Sequence, residues 1–154
     1  MEDNEQLTVE ENGLTTLHGL GALGNRTQTK ADVFTNIVDQ KKIFNLDSKV
    51  DTLLNDCEGE LIRVKEVLIK RFEKPMKEPI IDDETGEIIK DKEITMSCIL
   101  IDDNEKSYAT GSKVFTIQMM RYLKMFGLND EGFTIKIVKN KTDKGNKALG
   151  FELV

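Results

Sequence analysis

Two glycine-bearing runs have the residue types of a phosphate site. GLGALG, residues 19–24, matches the GxGxxG pattern that holds a pyrophosphate. That chemistry needs a buried strand before the glycines and a helix after them, so that main-chain amides meet the anion. The flanks NGLTTLH and NRTQTKAD supply neither, and no cofactor is expected. In ATGSKVF, residues 109–115, Gly111 lacks the partner glycine five positions earlier that a nucleoside-triphosphate loop carries. Gly111, Ser112 and Lys113 nonetheless bring amides and a cation to a helix start, which can take one phosphate of a polynucleotide backbone. Helix capping accounts for Gly111 and Ser112 equally well.

Catalysis finds little to work with. His18 is the only histidine and has no Ser or Cys partner, while Cys57 and Cys98 read as small buried thiols. The acid pairs Asp82-Asp83 and Asp102-Asp103 fall at turns, in the spacing of no known metal loop. Neither an enzyme nor a metal site is expected.

Aromatic rings interleaved with cations form the more informative pattern. Phe72 lies among Lys70, Arg71, Lys74 and Lys77, and Tyr108 lies between Lys106 and Lys113. Rings on which bases stack, set among cations that follow phosphates, are what a single-stranded nucleic acid requires of a protein surface. Arg63 and Lys65 face away from Ile62 and Val64, and Lys136, Lys139, Lys141, Lys144 and Lys147 ring the last turn. Phe72 reads equally as core or as stacking platform.

The net charge of -6 argues against a polyanion partner until its distribution is examined. Residues 1–59 and 79–105 hold the acidic excess, whereas residues 106–127 carry four bases and no acid. A positive face on an acidic chain follows. No run approaches the roughly 20 apolar residues of a membrane span. The acidic start MEDNEQLTVEEN is unlike a signal peptide, so a cytoplasmic protein without membrane contact is expected.

The elements that must position these residues are mostly strands. Residues 1 to about 35 are polar, rich in Gly, Asn and Thr, and read as a flexible N-terminal arm. Leu14, Leu17, Leu20 and Leu23 recur along it every three residues and could present an apolar edge to a neighbouring copy. KKIFNLDSKVDTLLNDCEG reads as an extended piece followed by a short helix opened by Asp47 or Ser48 and closed near Gly59. LIRVKEVLIKRF, residues 61–72, alternates with a slip near Lys65 and Glu66, the mark of a β-bulge. EPIIDDETGEIIKD reads as an acidic hairpin turning at Gly86, which keeps DNA off that edge or faces a partner. ITMSCILI (94–101) and SYAT (107–110) read as strands. A helix capped by Ser112 carries Phe115, Met119, Tyr122, Leu123 and Phe126 on one stripe and stops at Gly127. FTIKIVK (133–139) and ALGFELV (148–154) alternate as the last two strands.

Five strands with a bulged first member and one helix between the third and fourth is the element order of the OB-fold, a Greek-key barrel. A mainly β architecture is therefore expected, with an arm at 1–35, a barrel at 36–154, and an inserted acidic hairpin.

The runs IFNLDSKVDTLLNDCEGELIRVKEVLIK, EPIIDDETGEI and CILIDDNEKSYATGSKVFT resemble single-stranded DNA-binding proteins encoded by Gram-positive conjugative plasmids and phages. The resemblance spans roughly residues 34–154. It implies an OB-fold that coats single-stranded DNA without strong sequence preference, in conjugation, plasmid replication or phage DNA metabolism. It also implies an arm that reaches a neighbouring subunit to build oligomers on DNA. The expected DNA-binding residues are Arg63, Lys65, Arg71, Phe72, Lys106, Tyr108, Ser112, Lys113, Lys136 and Lys139. The competing expectation is an OB-like protein-interaction or structural module that uses the acidic hairpin and the arm.

Overall fold

The computed structural model describes residues 8–11, 14–17, 30–46, 48–142 and 145–154. Its elements are β1 (Thr8–Glu11), β2 (Leu14–Leu17), β3 (Lys30–Thr35), α1 (Gln40–Leu46), β4 (Thr52–Leu53), a 3-10 turn (Leu54–Asp56), β5 (Leu61–Ile81), β6 (Ile88–Asp102), β7 (Ser107–Thr110), α2 (Lys113–Phe126), β8 (Phe133–Lys141) and β9 (Lys147–Leu153). The described chain is mainly β. Its strands join in the order β1-β2-β3-β5-β6-β7-β4, and β8 pairs with β5 and with β9. Every pairing is antiparallel except β4 with β7. The sheet stays open, because among the described residues β9 pairs only with β8.

β5 is the spine. Leu61–Val64 pairs with β8, Leu68–Glu73 pairs with β3, and β6 runs along the other edge. The register shifts between Val64 and Glu66, where the alternation slips in the sequence. One extra residue there reverses which side chains point inward. Ile62 and Val64 enter the core before the bulge, and Val67 and Ile69 enter the same core after it. Phe115, Met119 and Leu123 of α2 close over this core together with Ile135, Ile137, Leu149 and Phe151. A smaller core forms on the opposite side of the sheet, where Ile37 ahead of α1 and Leu46 at its end meet Val33, Leu68, Ile99 and Ile101.

Four expectations need correction. The arm does not extend to residue 35: Lys30–Thr35 is a strand of the sheet, with Val33 and Thr35 buried because Leu68 and Lys70 lie opposite. Leu14 and Leu17 belong to a strand paired with β1 and β3 rather than to an irregular tail. The short helix lies at Gln40–Leu46, upstream of Asp47 and Ser48, because Asp39 caps it: its Oδ1 accepts from the Lys41 amide at 2.9 Å and from the Lys42 amide at 3.4 Å. Phe126 leaves the core stripe and is exposed, lying against Tyr122 with ring centroids 4.9 Å apart.

The acidic hairpin turns where the sequence places it, with Gly86 at φ 73°. It is the far end of two long strands rather than a separate insertion. β3 pairs with β5 only as far as Glu73, so residues 74–93 continue as a two-stranded ribbon.

Candidate functional site

The bulge determines which side chains of β5 face outward. Beyond it Lys70, Phe72 and Lys74 share the outer face, across from Ser97, Thr95 and Glu93 of β6. Phe72 is 37% exposed, so its ring is not consumed by the core. Lys70 is half-buried beside it, and burial pushes its ammonium below the ordinary lysine value. Lys74 Nζ lies 3.7 Å from Glu93. An aromatic face flanked by two cations on a strand is the geometry that stacks a base and meets its phosphates. Arg71 points to the other side, with Asp32 at 3.7 Å and Glu73 at 3.3 Å, and Lys92 also holds Glu73, at 3.1 Å.

Tyr108 does not offer a stacking face. It is 6% exposed and packs in the inner core, since its strand position is directly across from Leu100. Its hydroxyl donates to Asp102 Oδ2 at 2.9 Å. Asp102 is itself buried, and its other oxygen accepts from the main-chain amides of Asn104 at 2.8 Å and Lys106 at 2.9 Å. Burial first, then the Asp102 hydrogen bond and charge, push the Tyr108 phenol well above its ordinary range. The Lys106 ammonium lies over the ring, 5.2 Å from its centroid.

The remaining nominated cations are distributed rather than gathered. Arg63 donates to Thr134 Oγ1 at 3.1 Å and to the Glu131 carbonyl at 2.7 Å, and Lys65 donates to the carbonyls of Asp130 and Glu131 at 3.1 and 2.9 Å. Both therefore clamp the loop between α2 and β8. Lys136 is exposed on β8, across from Leu61 and Glu152, and Lys139 lies three residues on, opposite Leu149. Ser112 caps α2, its Oγ accepting from the Phe115 amide at 3.2 Å, and Lys113 is exposed in the first turn.

The middle of the outer face is occupied by α1. Lys42 reaches Glu66 at 2.5 Å and Glu105 at 2.7 Å, pinning the helix to the bulge and to the β6–β7 turn. Burial alone would lower the Lys42 ammonium, but the hydrogen bonds and charges of Glu105 and Glu66 outweigh it and raise the value. Nearby, Asp51 Oδ2 accepts from the Ser107 amide at 2.9 Å and its hydroxyl at 3.0 Å, which hold the carboxyl below its ordinary value. Composition and alternation gave no warning of this cover. The signal that could have revealed it is Asp39, a capping residue ahead of a short amphipathic run.

Leu20 and Leu23, and with them GLGALG, lie outside the described residues. Among the described residues no group of three or more His, Cys, Asp or Glu side chains is placed to hold a metal ion. No helix there is long and apolar enough to cross a membrane. No protein-family model matches the chain, and neither a curated protein nor a solved structure matches it.

Proposed function

We propose that this chain binds single-stranded DNA, stacking a base on Phe72 and holding the backbone with Lys70, Lys74 and neighbouring cations. The observation that carries this reading is the exposed ring of Phe72 on the outer face of β5, between two lysines of the same face. The strand order β7-β6-β5-β8-β9, with α2 between the third and fourth of these in sequence, supports an OB-fold whose last edge is left open. Arg63 and Lys136 share the outer face near the β5–β8 end of the sheet, whereas Lys113 on α2 and Lys139 on the core side of β8 lie away from it, and Tyr108 plays no part in stacking. Sequence preference is weak, because every base has a π face. The resemblance to proteins of conjugative plasmids and phages points to a role in DNA transfer or replication in the cytoplasm. The same resemblance implies that neighbouring copies assemble along the strand.

A fluorescence-anisotropy titration of labelled oligo-thymidine at low and high salt tests this. Saturable binding that weakens with salt is the expected result, because phosphate contacts release counterions. No binding at any salt would falsify it and leave the second reading, a protein-interaction module, which the exposed isoleucines of the ribbon favour.

A further inference from the structure

The ribbon at residues 74–93 ends in an exposed apolar tip. Ile81 and Ile88 lie directly across from each other, with Ile80 and Ile89 beside them, and all four are exposed. Residues 78–89 carry Glu78, Asp82, Asp83, Glu84 and Glu87 and no basic residue. A β-branched apolar cluster on an unpaired ribbon is unfavourable in water and marks a contact surface.

The outer side of α2 has the opposite charge and the same apolar character. Val114, Ile117, Met125 and Phe126 are exposed there among Lys113, Arg121 and Lys124, and the helix contains no acid. Val114, Ile117, Arg121 and Lys124 recur at three- and four-residue steps, which places them on one face.

We propose that the ribbon tip of one copy docks on the outer face of α2 of a second copy of this chain. Ile81 and Ile88, which share one face of the ribbon, meet Val114, Ile117 and Met125, while the tip carboxylates meet Lys113, Arg121 and Lys124. Both halves are present once in every copy and lie at different places in the fold, so the contact is head-to-tail and can propagate. The shorter, β6 side of the ribbon, six residues at about 3.3 Å per residue, reaches roughly 20 Å beyond the sheet, enough to bridge to a neighbour. This contact needs neither DNA nor the arm, and so stands apart from the DNA-binding reading.

Sedimentation velocity on the full chain without nucleic acid tests it. The expected result is a mass above 17.5 kDa that rises with protein concentration and falls with salt. Asp83→Lys with Glu84→Lys on the ribbon, or Arg121→Glu with Lys124→Glu on the helix, should each weaken self-association at least tenfold. Mixing the two double variants should restore it, because each then meets a complementary surface. All four positions are exposed, and circular dichroism shows whether the fold survives. A monomer at every concentration, or variants that associate as before, or a mixture that stays monomeric, overturns the proposal. Loss of oligo-thymidine binding in the helix variant with self-association unchanged also overturns it, and assigns that helix face to nucleic acid.

Discussion

The side-chain amide of Gln118 satisfies both main-chain groups on the free edge of Phe151: its Nε2 donates to the Phe151 carbonyl at 2.7 Å, and its Oε1 accepts from the Phe151 N–H at 3.2 Å. A single helical residue thus stands where a pairing strand would close the sheet. The ring of the same Phe151 packs edge-on against Phe115, at 5.2 Å between centroids, so the edge is held from both sides.

Replacing Gln118 by Ala removes two hydrogen bonds and leaves two main-chain groups without their protein partner, which should cost about 1–3 kcal/mol in urea denaturation. The Phe151 amide should exchange faster with deuterium, while those of the β8 interior keep their protection. Gly150→Ala should disturb the same contact, since a Cβ there would stand 3.0 Å from Gln118 Oε1. Unchanged exchange at Phe151 in Gln118→Ala would show that the edge is satisfied by other means.

Only two tyrosines are present, and both phenols are raised above their ordinary value of 10.0, Tyr108 by burial and the Asp102 contact, and Tyr122 by burial. A group whose folded value is raised contributes stability that is fully present below the unfolded value and lost as pH climbs past it. Ionisation of Tyr108 should therefore accompany the loss of β-sheet dichroism above pH 10, read as phenolate absorbance in Tyr122→Phe. Titration of Tyr108 in the folded protein near its ordinary value would contradict the burial described above. In Tyr108→Phe, the buried Asp102 loses a donor, and stability should fall by about 1–3 kcal/mol.

For DNA binding, Phe72→Ala should weaken affinity for oligo-thymidine by about 1–3 kcal/mol at constant salt, the usual worth of one stacked base. Tyr108→Phe should leave affinity unchanged once measured on folded protein. Equal losses from the two variants would point to a general effect on the sheet rather than to stacking at Phe72.

Gly132 sits at φ 73°, and a Cβ there would collide with the Val64 carbonyl oxygen at the start of the bulge. Main chain cannot move aside as a flexible side chain can. Gly132→Ala should destabilise by more than about 2 kcal/mol, read as a lower urea midpoint with the slope preserved. An Ala variant as stable as the parent would mean that the loop held by Arg63 and Lys65 shifts freely.

Local chemistry was legible in the sequence wherever period and turn residues acted alone. The slip at Lys65 and Glu66, the turn at Gly86, the cap at Ser112 and the strand at 107–110 all follow from neighbours in the chain. What the sequence concealed depends on residues far apart. Tyr108 sits in a four-residue strand whose two faces differ only in what lies across the sheet, and its burial follows from Leu100 and Asp102. Ala31, Val33 and Thr35 alternate too briefly, between Lys30 and Asp32, to distinguish a strand from an arm. Asn12-Gly13, between Thr8–Glu11 and Leu14–Leu17, is the dipeptide that favours two-residue hairpins and was the available clue to β1 and β2. The candidate site was half legible: the mixture of ring and cations around Phe72 is in the sequence, but the face each residue occupies depends on the bulge.

Because β5 is shared, the order of synthesis runs against the order of docking. β3 and α1 leave the ribosome before the strands they cover, so Val33, Ile37 and Leu46 must wait for Leu68, Ile99 and Ile101. The β5–β6 hairpin is joined by a short turn and can zip locally, whereas seating β3 requires closing a much longer loop. The nascent chain therefore carries a leading segment with uncovered apolar side chains and an open β3 edge until its own centre has formed, and that interval is when premature cross-pairing between chains is most dangerous.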